Sequence, residues 1–124
     1  MILIDTSVWI QYLKKSDSEL SDILKSYLRG NDLFAVSLVF GELLQGVKNK
    51  REREIIHVFW DNLPKVSEEN LFIKAGNLSN KHKFCAKGVG LIDCAILVTA
   101  IENDLAVWTL DKKLQEAIEL ISAS

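Results

Sequence analysis

Apolar residues along this chain follow two rhythms. Unbroken apolar runs stand at Met1–Ile4, Leu33–Val36 and Leu105–Trp108, the last closed by Thr109, and polar residues bound each of them. Short runs rich in branched aliphatics suit strands buried on both faces of a sheet. Between the runs, apolar residues recur every three or four positions, the spacing of a helix with one buried face. Val8, Trp9, Tyr12 and Leu13 predict a short first helix. Leu20, Ile23, Leu24, Tyr27 and Leu28 predict a second, opened by a capping box over Ser16 and Glu19 and closed near Gly30. A third helix begins at Ser37 and runs to Lys48. A fourth turns Ile55, Ile56, Phe59 and Trp60 inward and breaks at Pro64. Ser67 caps a fifth, whose inner face is Leu71, Phe72, Ala75 and Leu78; it ends over Lys81–Phe84. The most apolar helix spans Gly90 to Asn103, and a last one is marked by Leu114, Ala117 and Ile118. Leu120–Ile121 is expected to add a short final strand.

Strands alternating with helices predict an α/β fold, a three-layer α/β/α arrangement with a mostly parallel central sheet. Its 124 residues are expected to form one domain, 1–124. No linker, repeat or low-complexity segment interrupts them. No apolar run approaches the roughly 18 residues of a membrane span. The start lacks a basic n-region and Asp5 interrupts its apolar run, which predicts no signal peptide and a cytoplasmic location. Cys85 and Cys94 match neither a Cys-x-x-Cys nor a zinc spacing and read as small core or surface residues in a reducing compartment. The net charge of −2 argues against a protein that coats nucleic acid nonspecifically, but leaves room for a nucleic-acid enzyme with its acids gathered at one site.

Four acids break the apolar pattern. Asp5 and Asp111 fall just past predicted strands, where open α/β sheets place their ligand crevices. Glu42 and Asp93 lie on or beside apolar helix stripes. Each has a plain structural reading as well: Asp5 as a helix cap, Glu42 as an exposed edge residue, Asp93 as a partner of its helix dipole. Taken together they make a different case. Clustered carboxylates repel one another unless a counter-charge is present, and a hard divalent cation supplies one through oxygen ligands.

In Ile4-Asp5-Thr6-Ser7, Leu38–Leu43 around Glu42, Leu91–Ile96 around Asp93, and Thr109-Leu110-Asp111, the chain resembles the PIN-domain nucleases, specifically the small VapC-type toxins of type II toxin–antitoxin systems. The resemblance runs over essentially the full length. It implies an endoribonuclease dependent on Mg2+ or Mn2+ that hydrolyses RNA, with tRNA as a candidate substrate, by metal-activated water. It also implies a cognate antitoxin partner and a homodimer. Asp5 and Asp93 would be the central metal ligands, and Glu42 would complete the site directly or through water. Asp111 would support a second ion or orient water. Thr6 or Ser7 would hydrogen-bond within the site, and Thr109 would place Asp111. One departure stands out: many relatives carry another acid soon after the position of Asp111, where this chain has Lys112-Lys113. That puts a second ion in doubt.

The basic residues Lys48, Lys50, Arg51 and Arg53, and Lys81, His82, Lys83 and Lys87, are candidates for a phosphate-binding rim, or for solvated helix faces. Trp9, Tyr12, Tyr27, Phe59 and Trp60 read as core or as partner-binding surface. A haloacid-dehalogenase-like phosphatase would need an aspartate where Ser7 stands. Gly88-Val89-Gly90 follows no predicted strand and lacks the third glycine of a dinucleotide loop. The alternative from another class is a non-catalytic PIN-like module that binds RNA or protein.

Overall fold

The computed structural model describes residues 1–15 and 17–123. The chain runs β1 (Ile2–Ile4), α1 (Thr6–Lys14), α2 (Ser18–Arg29), β2 (Leu33–Phe34), α3 (Ser37–Gln45), α4 (Lys50–Asn62), α5 (Leu71–His82), α6 (Leu91–Asn103), β3 (Ala106–Trp108) and α7 (Lys112–Ala123), with a single 3-10 turn at Cys85–Lys87 before α6. The strands form one parallel sheet in the order β2-β1-β3. Leu3 lies opposite Phe34 on one side and Val107 on the other. The central position of β1 explains its unbroken apolar sequence, since all three of its residues are buried.

The strand order carries the functional geometry. The chain leaves β1 for β2 on one side, then returns past β1 to β3 on the other. Of the helices that join β2 to β3, α3 and α4 pack with α1, whereas α5 packs on α6. The reversal of direction at β1 puts the carboxyl ends of β1 and β3 at the position where open α/β sheets form a ligand crevice. Asp5 follows β1 directly, and Thr109 follows β3.

On one side, Trp9 of α1 meets Phe40 of α3 and Phe59 of α4 edge-on or tilted, at centroid distances of 5.5 and 5.1 Å, and Trp60 packs on Phe40. Tyr27 packs on Trp108. These aromatics are thus packing residues, the plainer of their two readings. On the other side α5 packs along α6, where seven consecutive residues, Cys94–Ala100, are buried. An all-round apolar helix is what such a central position demands. Cys94 lies in this core and Cys85 is exposed; both are free thiols.

Several boundaries differ from the sequence reading. Leu120–Ile121 is not a strand but the end of α7. Leu114, Ala117, Ile118 and Ile121 continue one helical stripe, and a two-residue apolar run cannot by itself distinguish that from a strand. The third helix stops at Gln45, with Gly46 closing it. The fifth begins at Leu71 rather than at Ser67, whose hydroxyl accepts from the Glu69 amide in a local turn. Ser16 lies outside the described residues, so the capping box assigned to it does too; the side chain that caps α2 is Asp17, which accepts from the Leu20 amide.

Candidate active site

Asp5 occupies the N-cap position of α1, and its carbonyl accepts from Val8 and Trp9. Its carboxylate caps nothing. It turns instead toward β3, where Oδ2 accepts from Ser7 Oγ at 2.9 Å and Thr109 Oγ1 at 2.7 Å. The backbone is fixed as well, because the Asp5 amide donates to Trp108 O at 2.9 Å. Both hydroxyls are themselves held by the strand-β3 exit: Leu110 N donates to Ser7 Oγ and Asp111 N donates to Thr109 Oγ1, each at 2.9 Å. Asp5 is 6% exposed, one of two buried polar residues in the described chain. A buried carboxylate held by two hydroxyls is positioned rather than mobile.

Glu42 projects from α3, exposed, and its Oε1 accepts from Thr6 Oγ1 at 2.9 Å. The helix that carries it is anchored from a distance: Glu68 accepts from both Ser37 N at 2.9 Å and Ser37 Oγ at 2.6 Å, closing the start of α3. Asp111 caps α7, its Oδ1 accepting from Lys113 N at 2.8 Å and Leu114 N at 3.3 Å. Asp93 sits in the first turn of α6 and is held by the Gly90 amide, the reach-back half of a capping box.

These elements bring Asp5, Glu42 and Asp111 within electrostatic reach of Asp93. The Asp93 carboxyl is pushed up to about 6, first by burial and then by the negative charges of Asp111, Asp5 and Glu42. Against these, a hydrogen bond from the Gly90 amide lowers it. The chain therefore concentrates negative charge around Asp93.

The hydrogen bonds also divide each carboxylate in two. Oδ2 of Asp5, Oε1 of Glu42 and Oδ1 of Asp111 take hydroxyl or amide donors, while their other oxygens accept no described hydrogen bond. Those oxygens are hard donors suited to a divalent cation. Among the described residues no three of these acids approach closely enough to enclose an ion by themselves.

Thr6, Ser7 and Thr109 all hydrogen-bond within this cluster. The sequence did not point to Glu68 or Gly90 as supports. Glu68 lies 31 residues from Ser37, and no spacing rule connects them. Gly90 was legible in principle, three residues before Asp93 at a helix start. His82 is partly buried and stacks on Phe84 at 5.1 Å, a packing role. Burial pushes the Cys94 thiol up, as expected of a core residue beside a charged site.

The sheet order and the acid cluster define a class, and the chain's similarities agree with it. Residues 2–120 match the PIN domain family model, so the chain belongs to the PIN domain family. It is also 30% identical over 122 residues to Ribonuclease VapC32 of two Mycobacterium tuberculosis strains, CDC 1551 / Oshkosh and ATCC 25618 / H37Rv, an alignment covering 94% of this chain and 90% of each relative. The resemblance to VapC-type PIN domains read from the four acidic motifs is borne out.

Proposed function

We propose that this chain is a divalent-metal-dependent endoribonuclease and the toxin of a toxin–antitoxin pair. The observation that carries this reading is the convergence of Asp5, Glu42 and Asp111 on Asp93, whose carboxyl is raised by burial and by their charges. Similarity to a protein named a ribonuclease supports RNA as the substrate. Asp5 and Asp93 would be the central ligands of Mg2+ or Mn2+, and Glu42 would complete the site directly or through water. Asp111 would orient water or support a second ion, a role weakened because one of its oxygens caps α7 and two lysines follow it. Bound there, the cation would supply Lewis acidity to a phosphodiester and to an attacking water.

The residues' own contribution is orientation. Ser7 and Thr109 occupy one oxygen of Asp5 and so aim the other at the site. Thr6 does the same for Glu42. Donors already in place cost no reorganisation when substrate arrives. No side chain here is placed as a nucleophile, and the reading includes no covalent enzyme intermediate. The cytoplasm, a cognate antitoxin, a homodimer and a transfer-RNA substrate belong to the same proposal. No helix among the described residues is long and apolar enough to cross a membrane.

The test is cleavage of total cellular RNA and of tRNA with Mg2+, with Mn2+ and with EDTA, by wild type, Asp5→Asn and Asp93→Asn. Metal-dependent cleavage by wild type, reduced at least a hundredfold in both variants, is expected, in the range seen when one group that stabilises a transition state is removed. Equal cleavage by all three proteins overturns the site. RNA binding without cleavage under every condition would make the chain a binding module.

A further inference from the structure

The acid cluster repels a polyanion on approach, so the substrate strand must be held by cations beside it rather than in it. Two basic regions compete for that role. The run Lys48–Arg53 at the start of α4 is interleaved with its own acids. Lys50 pairs with Glu54 at 3.9 Å, and the Glu52 carboxylate accepts from the Lys48 amide. This region behaves as a solvated helix face.

The other region is built by tertiary contact. Lys112 and Lys113 open α7 directly after Asp111. The stem of Lys113 lies over the Gly88 turn, its Cε 3.7 Å from where a Cβ on Gly88 would stand, and Gly88 has φ +78. Lys87, next to that turn, lines with Lys113 a cleft of about 310 Å3 floored by Phe84 and Val89. Its ammonium is steadied by the His82 carbonyl at 3.0 Å. Lys112 lines the neighbouring cleft together with Thr109 and Asp111. None of the three lysines has an acidic partner within 4.0 Å among the described residues. Glu116 also lines both clefts, and Glu119 joins it in the one that holds Lys112.

We infer that Lys87, Lys112 and Lys113 form a one-sided phosphate clamp that leads an RNA strand from the acid cluster across the Gly88 turn. The inference rests on the ribonuclease reading for its substrate class but not for its test. Contacts of this kind fix register and carry no base specificity.

The test is binding of a fluorescein-labelled mixed-sequence oligoribonucleotide, read by anisotropy in EDTA between about 50 and 200 mM KCl. Each phosphate contact on a single strand contributes about 0.7 to the slope of log K against log salt. The triple variant Lys87→Ala/Lys112→Ala/Lys113→Ala should therefore lose about 2 from that slope. Arginine at the same three positions should restore it, separating charge from packing against Gly88. Arg51→Ala/Arg53→Ala should change it little. An unchanged slope in the triple variant, a loss that arginine does not restore, or a larger loss in the α4 variant overturns the clamp. With Mg2+ present, the triple variant's defect in cleavage should appear mainly in KM. If wild type cleaves no RNA yet the slope falls as expected, the clamp stands and the ribonuclease reading falls.

Discussion

Asp93 is the residue at which packing and charge oppose each other most. Its ordinary value of 3.8 rises to about 6 in the folded protein, through burial and three neighbouring acids. The folded state thus holds the Asp93 proton more tightly than the unfolded chain. The associated stability is present below about 3.8 and is lost as pH rises through about 6. A tenfold change in proton affinity is worth about 1.4 kcal/mol, and solvent screening at this partly open site reduces the total to about 1–2 kcal/mol. Metal-free Asp93→Asn should accordingly exceed wild type in stability by that amount near neutral pH and match it in acid. Urea unfolding in EDTA across this pH range checks it. A variant less stable than wild type near neutral pH would show that hydrogen bonding, not repulsion, dominates at Asp93. Asp5 is buried too, and its carboxylate accepts from two hydroxyls, Ser7 and Thr109.

At the scale of elements, Asp111 belongs to two structures at once. One oxygen caps α7, and the carboxylate also contributes to the charge on Asp93. The two roles separate by substitution, because asparagine is as good an N-cap as aspartate and alanine is not. Asp111→Ala should cost about 1 kcal/mol of stability, and Asp111→Asn should cost much less. Both should relieve Asp93 equally, which NMR titration of the Asp93 carboxyl can follow. If both variants lose the same stability, the cap is not what Asp111 contributes to α7. The α3 helix makes a similar point, since Glu42 stands where it does partly because Glu68 closes the helix start from another segment.

Across the whole molecule, folding forces repelling charges together, and the stability of the sheet and its two helical layers must offset that repulsion. A cation bound only by the folded state adds RT ln(1 + [L]/Kd), about 2.7 kcal/mol at a hundredfold excess over Kd. Thermal unfolding should therefore shift upward with Mg2+ or Mn2+ and return with EDTA, and Asp93→Asn should lose most of that shift. Equal shifts in wild type and variant would place the ion elsewhere. The strand order also localises this effect, for Asp5 and Thr109 meet only because β1 and β3 are neighbours while β2 lies on the other side.

Much of this was legible in the residues alone. The three strand cores and seven helices follow from apolar spacing, and α6 falls within one residue of its expected span because its apolar run is long and bounded by Gly90 and Asp104. Leu120–Ile121 misled because two adjacent apolar residues fit either period, and only the continued stripe from Leu114 decides for a helix. The four acids could be marked as anomalies, and as a familiar set, without coordinates. What spacing could not decide was how each would be held. A hydrogen bond between Asp5 and Thr109 joins residues 104 positions apart, and that between Thr6 and Glu42 joins residues 36 apart. Local periodicity reports which face a residue occupies, but the partner across a crevice depends on strand order and crossover hand. For the same reason the sequence showed two basic runs as equals, and only the tertiary structure packs Lys113 over the Gly88 turn and brings it to one cleft with Lys87.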